Sequence, residues 1–165
     1  MSSFDRRALI GAASLCAVAV LTGCGFQPIH GAGAGTVSGT VAIEEAVDPE
    51  TFAFRERVRR RIGHAGSEAR YALEYRLEME EEPVAINTAS DVTRYQVEAV
   101  ARWRLIGLAE GDVVSEGSVK TNGGYDATAA PFATRTAQRT EREELAKELA
   151  ELVSVRLLAF AAPEE

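Results

Sequence analysis

Residues 70–82 read RYALEYRLEMEEE, and from Leu73 to Glu80 they alternate strictly between apolar and charged. Tyr71, Leu73, Tyr75, Leu77 and Met79 fall on one side and Glu74, Arg76, Glu78 and Glu80 on the other, which is the period of a half-buried strand. The same period returns in TRYQVEAVARWRL, residues 93–105, where Tyr95, Val97, Ala99, Ala101, Trp103 and Leu105 oppose Gln96, Glu98, Arg102 and Arg104. Trp103 is thereby assigned to the core. EPVAINTASD, residues 82–91, reads as the loop between the two strands, and AEGD at 109–112 as a turn into a third strand, VVSEGSVKT at 113–121. Three consecutive antiparallel strands form the expected centre of the fold.

The flanking segments follow the helical period instead. After NGGYDATAAPFATRTAQ, residues 122–138, breaks the strand pattern, Leu145, Leu149, Leu152, Val153, Leu157 and Phe160 form a stripe opposed by Glu141, Glu144, Glu148 and Glu151, so a helix is predicted over 136–160. Thr140 and Glu143 would form a capping box if the regular helix starts there. Before the meander, TVAIEEAV at 40–47 reads as a strand, and Asp48-Pro49-Glu50 as a helix start: a side-chain acceptor, a residue with no amide to satisfy, and an acid in the first turn. Phe54, Val58 and Ile62 recur four apart while Arg55, Arg57, Arg59, Arg60 and Arg61 take the other faces. The expected fold is α+β: two amphipathic helices packed on one face of a four-stranded, mostly antiparallel sheet, in the order β-α-β-β-β-α.

Residues 1–23 are of another kind. Arg6 and Arg7 precede ALIGAASLCAVAVLT, residues 8–22, which is uncharged and shorter than the roughly 20 residues that span a bilayer. This reads as an export signal, by the general or the twin-arginine route. Leu21-Thr22-Gly23-Cys24 resembles a bacterial lipobox, which implies cleavage between Gly23 and Cys24 and acylation of Cys24. Cys16, the other cysteine, would be discarded with the signal. One acyl chain binds a membrane marginally and several bind it durably, so the chain is expected to be tethered rather than to span. Gly25 stands where an inner-membrane retention signal would have aspartate, so delivery to the outer membrane is expected. Three segments result: the signal at 1–23, the acylated cysteine with a glycine-rich tether at 24–40, and one periplasmic domain over 41–165.

The mature chain would carry 16 basic and 24 acidic side chains, a balance that argues against nucleic acid as a partner. Little in the sequence offers catalysis. His30 falls in the tether and His64 at a helix end, neither beside a nucleophile, and no phosphate loop, HExxH or paired-cysteine spacing is present. No enzyme activity, cofactor or metal is expected. Glu80-Glu81-Glu82 reads as a solvated strand end. FRERVRRRI, residues 54–62, reads as a solubilising helix face, with an anionic-lipid surface as the sharper alternative.

Cys24-Gly25-Phe26-Gln27-Pro28, the element order, TRYQVEAVARWRL, GGYDATAAPFATR at 123–135 and LAKELAELVSVRLLAF at 145–160 together resemble the LptE family of lipopolysaccharide-assembly lipoproteins. The resemblance implies a non-enzymatic protein that sits in the lumen of a large outer-membrane β-barrel, LptD, and assists lipopolysaccharide delivery to the cell surface. It also implies basic contacts to lipopolysaccharide, for which Arg94 and Arg135 occupy the nearest places. An accessory lipoprotein of a phospholipid-transport complex is the alternative, and a lipid-anchored hydrolase would require His64 to meet a nucleophile.

Overall fold

The computed structural model describes residues 37–160. Six elements follow one another: β1 (Val41–Ile43), α1 (Pro49–Ile62), β2 (Tyr71–Ile86), β3 (Val92–Gly107), β4 (Val113–Asp126) and α2 (Pro131–Phe160). The sheet order is β1-β2-β3-β4; β1 is parallel to β2, and the other two pairings are antiparallel. This is the expected α+β architecture.

Strand alternation sets the inner face. Leu73, Val97, Ala99, Ala101, Trp103, Leu105 and Tyr125 are buried against the helices, with Phe54, Val58 and Ile62 from α1 and Leu145, Leu149, Val153 and Leu157 from α2. Trp103 lies over Gly117, its register partner, where a Cβ would come within 3.2 Å of the indole ring. Val37 is fully buried, and Gly39 N–H donates to Ile62 O at 2.7 Å.

The α1 start is a reciprocal cap. Asp48 Oδ1 accepts from Thr51 N–H at 2.7 Å, and Thr51 Oγ1 accepts from Asp48 N–H at 3.1 Å, with Pro49 in the first turn. Gly63, at φ +86°, ends the helix, and a side chain there would press on the Gly39 backbone. The arginines of α1 do more than solubilise: Arg57 and Arg61 both pair with Glu151 of α2, while Arg59 pairs with Glu56.

Four boundaries and two stripe positions differ from the sequence reading. β1 is only three residues long. β2 runs on through Pro83 to Ile86, because β-bulges between Pro83 and Ile86 keep the ladder to β3 intact. β4 continues through Asn122-Gly123-Gly124 to Asp126. These glycines make room rather than break the strand, because a Cβ on Gly123 would collide with Glu141 of α2. α2 begins at Pro131, whose missing amide costs nothing in a first turn. Thr140 and Glu143 are therefore interior to the helix and form no cap. Leu152 and Phe160 belong to the exposed flank of α2, each 41% accessible. Three and four residues from Leu149, Leu152 and Val153 lie on either side of the stripe edge, and only Val153 turns inward.

Candidate functional site

Arg94 and Arg135 lie at the same end of the domain, beside the turn that joins β2 to β3. Arg94 sits opposite Asp126 in the β3–β4 ladder, and its Nη1 pairs with Asp126 Oδ1 at 2.7 Å on the outer face of the sheet. Arg135 is exposed in the second turn of α2, with no ion pair among the described residues. The sheet separates the two: α2 packs on the inner face and Arg94 points from the outer one. The structure thus gives them a common end but no common pocket. The same end is unusually apolar. Pro83, Val84, Ala85 and Ile86 are all exposed, Ile86 at 68%, and Phe132 of α2 is 84% accessible.

Just below this end lies a polar cluster that strand alternation alone does not announce. Glu81 continues the inward series after Met79, so of the three consecutive glutamates only Glu80 and Glu82 are solvated. Glu81 Oε2 accepts from Tyr125 Oη at 2.8 Å and from Gln138 Nε2 at 2.7 Å, and its Oε1 accepts from Arg142 Nη1 at 2.9 Å. Arg142 Nε donates to Glu50 of α1 at 2.7 Å. Burial by itself would raise the Glu81 pKa, but the bonds from Arg142, Tyr125 and Gln138 outweigh it and hold the carboxyl below its ordinary value. Burial and the Glu81 bond both push the Tyr125 phenol up. Burial opposes the charge on Arg142, yet its bonds to Glu50 and Glu81 raise its pKa on balance. The cluster locks β2, β4, α1 and α2 together. The signal in sequence was positional: Glu81 has the parity of Leu77 and Met79.

The outer face of the sheet carries a series of paired charges. Arg104 pairs with Glu74 at 2.7 Å, and Arg102 leans diagonally to Glu78 at 3.3 Å. A groove of about 840 Å³ crosses this face, with Arg76, Arg102, Arg104, Glu44, Glu116 and Ser118 among its walls.

His64 is exposed, 3.3 Å from an Arg59 guanidinium nitrogen through its Nδ1, and meets no nucleophile among the described residues. Among the described residues no group of three or more His, Cys, Asp or Glu side chains is placed to hold a metal ion, and no helix is long and apolar enough to cross a membrane. Gly23, Cys24, Cys16 and His30 lie outside the described residues.

The family described as LptE, lipopolysaccharide-assembly, matches the chain over residues 39–157. Among solved structures, a putative lipoprotein from Caulobacter crescentus is similar at a TM-score of 0.63 and 22% identity, over 78% of this chain and 94% of that one. An uncharacterized lipoprotein B from Nitrosomonas europaea aligns at 0.53 and 10% identity, over 73% and 81% of the two chains. A minor lipoprotein from Acinetobacter baumannii aligns at 0.50 and 13% identity, over 76% and 92%. At these identities the likeness speaks to fold. No curated protein matches the sequence.

Proposed function

The chain belongs to the LptE family of lipopolysaccharide-assembly proteins, and from that premise we propose that it is a non-enzymatic outer-membrane lipoprotein. Cleavage between Gly23 and Cys24 and acylation of Cys24 anchor it, and the domain binds and plugs an LptD-type β-barrel to assist lipopolysaccharide assembly. The observation that carries this reading is the family match, which spans all six elements except the last residues of α2. Barrel lumens are polar, and the charged outer face of the sheet, with Arg104–Glu74, Arg102–Glu78 and Arg94–Asp126 paired along it, suits such surroundings. A lipid anchor in the barrel's own membrane raises the effective concentration of the two partners. Arg94 and Arg135 serve in this reading as separate phosphate contacts at one end of the domain, since guanidinium groups bind phosphate oxygens bidentately.

The test is a mild-detergent pull-down of the tagged, acylated protein from its own membranes, with the partners identified by mass spectrometry. A stoichiometric, large outer-membrane barrel is the expected result. Recovery of phospholipid-transporter subunits in place of a barrel would overturn the reading in favour of the alternative.

A further inference from the structure

Strand β4 is one edge of the sheet, and its backbone groups alternate between facing β3 and facing outward. Just past β4, Ala127 N–H donates back to Thr93 O at 2.9 Å, whereas Gly124 N–H donates away from β3, to Glu141 Oε1 at 2.7 Å. The ladder between β3 and β4 is regular from Ser115 to Asp126, so Glu116, Ser118, Lys120 and Asn122 share the outward parity of Gly124. The Glu141 carboxylate caps the edge at Gly124, and among the described residues nothing caps it from Glu116 to Asn122. A row of outward N–H and C=O groups is a template for one more strand.

Two features identify the strand that fits. Read about Ser118, β4 is complementary to its own reverse. An antiparallel second copy centred there sets Ser118 against Ser118 and Glu116 against Lys120 in both directions, with all three positions hydrogen-bonded across the pair. Glu116 and Lys120 lie on the same face and neither has an ion pair among the described residues, since Arg104, the register neighbour of Glu116, is bonded to Glu74. A centre on Glu116 or Lys120 would oppose like charges, which is destabilising, and a centre on Gly117 or Val119 would set both charges against uncharged residues. The second feature is on α2. Glu148 accepts from Thr121 Oγ1 of β4 at 2.9 Å, and four and seven residues on, along the same helix face, come Leu152 and Val155, 41% and 53% accessible. At about 1.5 Å per helical residue and about 3.4 Å per strand residue, Val155 stands level with Ser118. A two-fold axis at Ser118, normal to the sheet, therefore brings these apolar side chains of two copies together. We propose that two copies of this chain pair through β4 about a two-fold axis at Ser118, making one continuous sheet with both α2 helices on the same side. Such an interface is isologous and closed. The proposal concerns the chain by itself and stands whether or not a barrel is its partner.

The full-length protein, purified without a partner in a density-matched non-ionic detergent, would be followed by sedimentation equilibrium. The expected result is a dimer that Lys120→Glu or Glu116→Lys alone weakens by about tenfold or more and that Glu116→Lys/Lys120→Glu restores. Introduced cysteines, oxidised in the same detergent and compared with the parent chain, read the register. Ser118→Cys should bridge to its own copy, because Cα atoms of a hydrogen-bonded antiparallel pair lie about 5.5 Å apart, within disulfide reach. Glu116→Cys should bridge to a co-expressed Lys120→Cys chain but not to itself, since the two copies of position 116 lie about 14 Å apart. A monomer at every concentration, a double charge swap that restores nothing, or a Glu116→Cys chain that bridges to itself would overturn the proposal. In membranes, bridging of Ser118→Cys to a different protein in place of its own copy would give this edge to that protein and overturn it as well.

Discussion

Glu81 and Arg142 meet at 2.9 Å where β2 passes under α2, and through Arg142 the contact extends to Glu50 on α1. Three elements distant in sequence are joined by one guanidinium. Glu81 keeps only 18% of its side-chain surface accessible, so deleting it leaves Arg142, Tyr125 and Gln138 with a shared lost partner. Glu81→Ala is expected to lower unfolding free energy by about 2–3 kcal/mol, measured by urea denaturation.

The same carboxylate makes stability depend on acid. Its folded pKa lies below the ordinary glutamate value of about 4.5, so its contribution is present above that value and is lost as pH falls through the folded one. Unfolding free energy should therefore decline below about pH 4.5, with a shallower decline in Glu81→Gln. Melting temperatures at steps of half a pH unit would show it, and identical slopes in the two proteins would remove Glu81 as the cause.

At the alkaline end both Tyr75 and Tyr125 have raised pKa values, and of the two Tyr75 stacks on Phe54 with ring centroids 4.5 Å apart and donates to Thr51 O at 3.2 Å. Its burial raises the phenol to about 12 from 10.0. A raised pKa gives stability that is complete below the unfolded value and disappears as pH rises through the folded one. Stability should therefore fall between pH 10 and 12, and Tyr75→Phe should flatten that fall.

Gly123 and Glu141 are predicted to be coupled. A methyl group at position 123 collides with the Glu141 carboxylate, which also accepts from Gly124 N–H at 2.7 Å. Gly123→Ala should cost about 1–3 kcal/mol. Adding Glu141→Ala should recover part of it, and a double-mutant cycle that sums without interaction would show that the clash is not the cause.

Leu149 and Leu152 provide a contrast along α2. Leu149 is wholly buried and Leu152 is 41% accessible. Leu149→Ala is expected to cost about 2–5 kcal/mol and Leu152→Ala about 0.5 kcal/mol or less, compared by denaturant midpoints at equal slope.

These contrasts mark where the sequence could be read and where it could not. Strand parity placed Leu73, Val97, Trp103 and Leu105 correctly because a period of two leaves each side chain one face. Helical stripes are broader, and a residue at the margin such as Leu152 turns in or out according to the neighbouring layer. Boundaries failed for a related reason. Gly123 and Gly124 have the composition of a turn, and only the proximity of α2 explains why a strand needs them. Pro83 likewise interrupts a pattern that β-bulges preserve in space. The Glu81 cluster was hidden because its partners lie 44 to 61 residues away along the chain. For Arg94 and Arg135 the family resemblance supplied only places along the chain, and it could not show that they share one end of the domain with the sheet between them.

The described chain begins at Val37, beside the start of β2, whereas the turn carrying Ile86 closes the far end of that strand. At about 3.3 Å per residue, the 16 residues of β2 amount to roughly 50 Å of contour. The hydrocarbon slab of a bilayer is about 30 Å thick. The exposed Pro83–Ile86 ridge and Phe132 therefore stand a full strand length from Val37, a separation greater than that slab and set by the length of one hairpin.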